Sequence, residues 1–252
     1  MTVPVLEARG LTRQFGHVTA LDGADFDVYP GEVVALIGDN GAGKSTLVKA
    51  LSGNLATDSG TVLFDGKEVH LDDPTTASTM GIETVYQDLA LAPHLDPAQN
   101  MFLGREVMRP GLAGALGFMD NRTMRAKARE AFESLGATVP SLITPVGAMS
   151  GGQRQAIAIA RAVYWASRVV FLDEPTAALG VRQTANVLNT IRRVRDHGVG
   201  VVFISHSMPH VIEVADRIQV LRLGRRVATY QKNETSMEGL VAAMTGATEA
   251  AA

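Results

Sequence analysis

A chain of 252 residues, 46% hydrophobic and 19% charged, has the make-up of a globular protein with room for one large core and a smaller one beside it. Its formal net charge of -3 supplies no global pull toward nucleic acid, so no nucleic-acid partner is expected. The absence of cysteine excludes a disulfide scaffold and any Cys-ligated zinc or iron–sulfur centre.

The opening residues, Met1-Thr2-Val3-Pro4-Val5-Leu6-Glu7, lack the basic start and apolar run of a signal peptide. Nowhere do about 18 apolar residues follow one another without a charge, so no membrane span is expected. Ala24-Asp25-Phe26-Asp27-Val28-Tyr29 alternates like a strand with one wet face and closes at Pro30-Gly31. Val33-Val34-Ala35-Leu36-Ile37, Val169-Val170-Phe171-Leu172 and Val201-Val202-Phe203-Ile204 are instead continuous apolar runs, the pattern of strands covered on both faces. Thr61–Phe64 and Glu68–Leu71 flank Asp65-Gly66-Lys67, a hairpin signal, and Leu223-Gly224-Arg225-Arg226 reads as a second hairpin turn. Between Asp88 and Ala160 the character changes. A glycine-punctuated loop from Pro110 to Gly117 precedes a helix from Asn121 to Leu135, with Met124, Ala128, Ala131, Phe132 and Leu135 on one stripe. The expected organisation is an α/β core, residues 1–87 and 161–240, interrupted by a helical segment, 88–160, and followed by a frayed tail, 241–252.

Gly38-Asp39-Asn40-Gly41-Ala42-Gly43-Lys44-Ser45 fits G-x-x-x-x-G-K-[ST] and stands between an apolar strand and the helical pattern Thr46–Leu51. Glycines let successive backbone N–H groups at Asn40, Gly41, Ala42, Gly43 and Thr46 turn toward one phosphate, and the helix start adds positive potential. Lys44 is placed to reach the β- and γ-phosphates of ATP and the Ser45 hydroxyl to ligate Mg²⁺.

The run Val169–Leu172 ends in Asp173-Glu174. Side chains alternate along a strand, so the two carboxylates face different ways: Asp173 is the metal partner and Glu174 the general base. Gln87 follows the strand pattern Ile82–Tyr86 and His206 follows Val201–Ser205, so both can point to the carboxyl edge where open α/β sheets bind ligands. Gln87 is a candidate for metal and water, His206 for the catalytic centre. Met149-Ser150-Gly151-Gly152-Gln153 precedes the Ala-rich helix Arg154–Ala162, with Ser150 as N-cap and the glycine amides as a second anion-binding helix start.

These segments together resemble the nucleotide-binding subunit of an ABC transporter: Walker A (Gly38–Ser45), Q-loop (Gln87), signature (Met149–Gln153), Walker B (Val169–Asp173) with Glu174, and H-loop (His206), in family order and spacing. The resemblance implies a P-loop NTPase (RecA-like) core with an antiparallel β subdomain and an inserted α-helical signature subdomain, together forming one ABC ATPase domain. It implies ATP hydrolysis with Mg²⁺, and a head-to-tail dimer in which Ser150, Gly151, Gly152 and Gln153 of one copy close on ATP held by the other. Phe15 matches the aromatic that stacks on adenine, although by residue type alone a lone aromatic is more often core packing than a ligand contact. Glu83–Leu91 and Asn100–Glu106 are similar to the monosaccharide-import branch, the ribose, xylose and fructose type. That likeness implies membrane-embedded permease subunits, a periplasmic sugar-binding protein acting through them, and a peripheral location on the cytoplasmic face of the inner membrane. The competing reading is a soluble ABC-type ATPase with a nucleic-acid or other non-transport client. Two departures stand out: Met149 replaces the usual Leu of the signature, a volume-conserving change, and Gly180 replaces the aspartate that in the family bridges the subunits.

Overall fold

The structure, a computed structural model, describes residues 3–137, 139–177 and 179–247. The chain opens with β1 (Leu6–Phe15) and β2 (Val18–Val28), an antiparallel ribbon that turns at Gly16-His17 with Phe15 opposite Val18. This ribbon is longer than the alternation at 24–29 predicts. Its register shifts at three places, between Ala8 and Leu11, Leu11 and Thr12, and Arg13 and Gln14, and each shift breaks the period of two that would announce a strand. After β3 (Val33–Ile37) and α1 (Lys44–Leu51) come β4 (Ser59–Phe64) and β5 (Lys67–Val69). Their turn is the two residues Asp65-Gly66, both at positive φ (49° and 74°), and it pairs Phe64 with Lys67.

The next elements are α2 (Pro74–Thr79), β6 (Ile82–Val85), α3 (Pro97–Met101), α4 (Leu112–Ala115) and α5 (Asn121–Leu135). The predicted helix at 121–135 is observed with those bounds. Asp120 accepts from the Thr123 N–H at its start, and Gly136 ends it in the left-handed conformation. A short 3₁₀ turn leads into α6 (Gly151–Trp165), then β7 (Val169–Asp173), α7 (Val181–Asp196), β8 (Gly200–Ile204), α8 (Met208–Val214), β9 (Arg217–Arg222), β10 (Arg225–Gln231) and α9 (Met237–Thr245). The break expected at 160 falls inside α6. The tail expected from 241 is helical as far as Thr245, because Ser236 caps α9 and Leu240 and Ala243 are buried. Residues 248–252 lie outside the described residues.

The strands make two sheets, β2-β1-β4-β5 and β10-β9-β3-β8-β7-β6. In the larger sheet all neighbours are parallel except the β9–β10 hairpin. Alternate residues of its central strands feed opposite cores. Val33, Ala35, Val170, Leu172, Val201 and Phe203 pack toward the helices α5, α6 and α7, whereas Val34, Leu36, Val169, Phe171, Val202 and Ile204 pack toward α1 and the smaller sheet. A sheet covered on both faces needs apolar residues at every position, which is why these strands read as unbroken runs. The two sheets are pinned at one end by Arg217, which donates to Asp27 (2.6 Å) and Glu32 (2.6 Å). Burial works against that charge, but the two carboxylates more than offset it and raise the Arg217 pKa. Among the described residues no helix is long and apolar enough to cross a membrane.

Candidate active site

All parallel strands of the larger sheet present their carboxyl ends along one edge, and three loops leave that edge with polar residues. The first, 38–43, joins β3 to α1. Gly43 is the N-cap of α1 at φ 102°. A Cβ there would lie 2.5 Å from the Ala20 carbonyl oxygen and 3.2 Å from Leu21 Cδ2, so the loop can lie against β2 only if this residue is glycine. No side chain caps α1 and no acidic residue occupies its first turn, which leaves its leading N–H groups for an anion. Lys44 folds back over the loop and donates to the carbonyls of Gly38 (2.7 Å) and Asp39 (3.0 Å). Burial lowers the Lys44 pKa, while the charges of Glu174, Asp173 and Asp39 pull it the other way. Asn40, Gly41 and Ser45 are exposed, Gly43 and Thr46 are half-buried and Ala42 is buried.

The second loop leaves β7. Asp173 is half-buried, and burial first, then the charge of Glu174, push its carboxyl pKa up against the opposing Lys44 and Lys49. Glu174 adopts φ 51°, a left-handed conformation that costs an L-residue about 1–2 kcal/mol. It is held there from the third loop, which leaves β8. The Glu174 N–H donates to Ile204 O (3.0 Å), and its carboxylate accepts from the His206 N–H (3.1 Å) and lies 2.8 Å from His206 Nδ1. One turn further on, His210 Nδ1 lies 3.1 Å from the Thr176 hydroxyl.

Gln87 leaves β6, the strand beside β7, within a turn closed by the Leu89 N–H to Tyr86 O (3.0 Å), and its side chain is exposed. Leu89 and Ala90 both have positive φ, 60° and 45°. Arg161, on α6, donates to their carbonyls at 3.1 and 2.7 Å. Phe15 is 47% exposed at the end of β1, with the Arg13 guanidinium 5.0 Å from its ring centroid, so it is no core residue. Ser150 caps α6 as expected: it accepts from the Gln153 N–H (3.3 Å), and the Gln153 side chain accepts in return from the Ser150 N–H (2.9 Å).

The structure therefore brings Lys44, Asp173, Glu174 and His206 into one electrostatic neighbourhood, with Gln87 on the adjoining strand end. It sets Ser150–Gln153 apart from them, against α5 and α7, beside a cavity lined by Gly136, Gln183 and Asn186. Arg161 and His210 are passed over by the sequence reading. His210 is signalled only by its spacing of four from His206 on a helix start, and nothing in the sequence marks Arg161. A lysine over a backbone nest beside a raised carboxyl and a pinned glutamate is suited to polyphosphate binding and proton abstraction from water.

A family model described as "ABC transporter" matches residues 21–177. The chain is 51% identical to the fructose import ATP-binding protein FrcA of Rhizobium meliloti, covering 98% of this chain and 95% of that protein. It is 44% identical to the xylose/arabinose import ATP-binding protein XylG of Sulfolobus acidocaldarius, covering 96% and 94%. Among solved structures, the ABC transporter ATP-binding cassette MJ1267 superposes with a TM-score of 0.80 at 25% identity, over 99% of this chain and 98% of that one. A phosphate loop and an acidic strand end at one sheet edge thus meet a family match over most of the chain: it belongs to the ABC transporter family, as one of its ATP-binding, ATP-hydrolysing subunits.

Proposed function

We propose that this chain energises a monosaccharide importer from the cytoplasmic face of the inner membrane, bound to membrane-embedded permease subunits that a periplasmic sugar-binding protein supplies. The fructose and xylose/arabinose import relatives support the substrate class. The one observation that carries the catalytic reading is the Glu174 carboxylate, held 2.8 Å from His206 Nδ1 at the strand end beside Lys44.

In this reading Lys44 and the N–H groups of Asn40, Gly41, Ala42, Gly43 and Thr46 bind the phosphates, and Phe15 stacks on adenine. Ser45, Asp173 and Gln87 would hold Mg²⁺, Asp173 through the ion's water shell. The donor set fits such an ion: a hydroxyl, a carboxylate and an amide offer hard oxygens, and Mg²⁺ takes one or two carboxylates with phosphate and water for much of the rest. When bound it supplies charge neutralisation on the phosphates. Glu174 accepts a proton from water as that oxygen bonds to the γ-phosphorus. The bond from the γ-phosphorus to its bridging oxygen breaks, releasing ADP. His206 orients Glu174 and the terminal phosphate. Ser150, Gly151, Gly152 and Gln153 serve the partner copy's nucleotide in a head-to-tail dimer. Residues 1–87 and 161–240 act as the core and 88–160 as the helical arm that carries the signature, the two sharing α6, which runs through the expected break.

The test is uptake of labelled fructose, xylose and ribose by cells with and without the gene, complemented by parent or Glu174→Gln. Loss of one sugar's uptake, restored only by the parent, is expected. Unchanged uptake of all three would remove the monosaccharide assignment.

A further inference from the structure

The missing aspartate at position 180 leaves a space that another side chain of this subunit fills. A Cβ on Gly180 would stand 2.6 Å from Gln183 Oε1 and 3.6 Å from its Cδ. The stem of the same side chain lies over the signature. A Cβ on Gly152 would stand 2.7 Å from Gln183 Cγ and 3.3 Å from Gln183 Cβ. Gln183 thus spans from the start of α7 to the second signature glycine, and it borders the cavity that Ser150, Gln153 and Asn186 also line.

Backbone conformation does not account for the glycine. Gly180 is the N-cap of α7 at φ -72° and ψ 165°, with no side chain capping the helix. Aspartate adopts that conformation freely and is among the best N-caps. A Cβ at 180 instead meets the amide end of Gln183, an exposed side chain, and would turn that amide away. Gly151 and Gly152 in turn open α6 with no side chain of their own to restrain the backbone, so a wedge against Gly152 limits how its N–H can tilt.

Resting on the two-copy reading above, we infer that Gln183 is a positioning residue that fixes the backbone of Gly152 for the partner's nucleotide, and that Gly180 is glycine to admit it. The pair takes the place of the aspartate by acting within its own subunit. The stretch between β7 and α7 is tethered within the subunit as well, through Thr176 to His210.

Steady-state hydrolysis, fluorescent-ATP binding at monomeric dilution and thermal melting of Gly180→Asp, Gly180→Ala, Gln183→Ala, Gln183→Met and Gly180→Asp/Gln183→Ala test this. Gly180→Asp is expected to melt at or above the parent temperature yet lose about tenfold or more in kcat, since small displacements of a positioned group cost that much. Binding of ATP to the monomer stays unchanged. Gln183→Ala loses a similar factor, Gln183→Met keeps the stem and recovers it, and the double variant is no worse than the worse single one. Parent-like kcat in Gly180→Asp and Gly180→Ala overturns the inference, as do multiplying losses in the double variant. Glu174→Gln in the parent background separates the two readings. If it forms no ATP-dependent dimer, the two-copy reading fails; if it dimerises while the 180 and 183 variants turn over normally, only this inference fails.

Discussion

Replacing Glu174 first by glutamine and then by glycine separates the chemistry of its side chain from the strain of its backbone. Glutamine keeps the shape but cannot take a proton. General-base catalysis is worth about 10²–10⁴-fold, or roughly 2.7–5.5 kcal/mol of barrier, so Glu174→Gln should lose at least about a hundredfold in kcat and accumulate an ATP-bound dimer. Glycine tests the backbone. The left-handed φ of 51° costs glutamate about 1–2 kcal/mol, and glycine escapes this while bringing about 0.5–1 kcal/mol of extra chain entropy to the unfolded state. Glycine also forgoes the pairing with His206, whose side chain is 75% exposed to water, an interaction worth about 0–1 kcal/mol. These effects nearly cancel, so Glu174→Gly should unfold within about 1 kcal/mol of the parent while its turnover disappears. Urea denaturation followed by circular dichroism and a phosphate-release assay measure both. Turnover of Glu174→Gln within tenfold of the parent would refute the base assignment. Destabilisation of Glu174→Gly by more than about 2 kcal/mol would refute the strain argument.

Other perturbations reach the remaining parts of the site. Lys44→Met removes charged donors to two phosphates, each worth about 1.5–3 kcal/mol, and should weaken ATP binding by roughly a hundredfold or more in an equilibrium titration. Phe15→Ala should raise KM for ATP by about tenfold with kcat and melting unchanged, the size of one base-stacking contact at an exposed ring. Asp173 has a raised pKa when folded, so the folded state holds its proton more tightly than the unfolded chain does. Stability of the nucleotide-free protein therefore falls as pH rises from the ordinary carboxylate value through that raised one. Asp173→Asn should remove this dependence and be the more stable protein at neutral pH, as denaturation at mildly acid and neutral pH would show. Arg161→Met deletes two charge-assisted hydrogen bonds and should cost about 2 kcal/mol after the desolvation it relieves, read by urea denaturation. Adding Leu89→Gly and Ala90→Gly should recover part of that loss by removing the left-handed strain.

What could be read in advance was whatever short-range chemistry forces into a contiguous stretch. A phosphate nest needs its glycines, Lys44 and Ser45 side by side, and α5 carries both its cap, Asp120, and its stop, Gly136, in line. The unbroken runs at β3, β7 and β8 are legible because a sheet covered on both faces tolerates nothing polar. Features made by distant partners left no such trace. β1 is cut by shifts of register, so its alternation fails. The left-handed Leu89 and Ala90 carry no glycine to announce them, since the compensating donor, Arg161, arrives from far along the chain. α9 buries too little, Leu240 and Ala243, for its apolar pattern to separate from a loose end. The contact of Gln183 with Gly152 belongs to the same class, visible only once α6 and α7 lie together.

Arg161 also gives α6 a mechanical meaning. From Gly151 to Arg161 the helix rises about 15 Å, with the Ser150 cap at one tip and a grip on the backbone of a surface turn near the other. A rigid rod gripped in this way converts a push on the outside of the molecule into a tilt at its far tip.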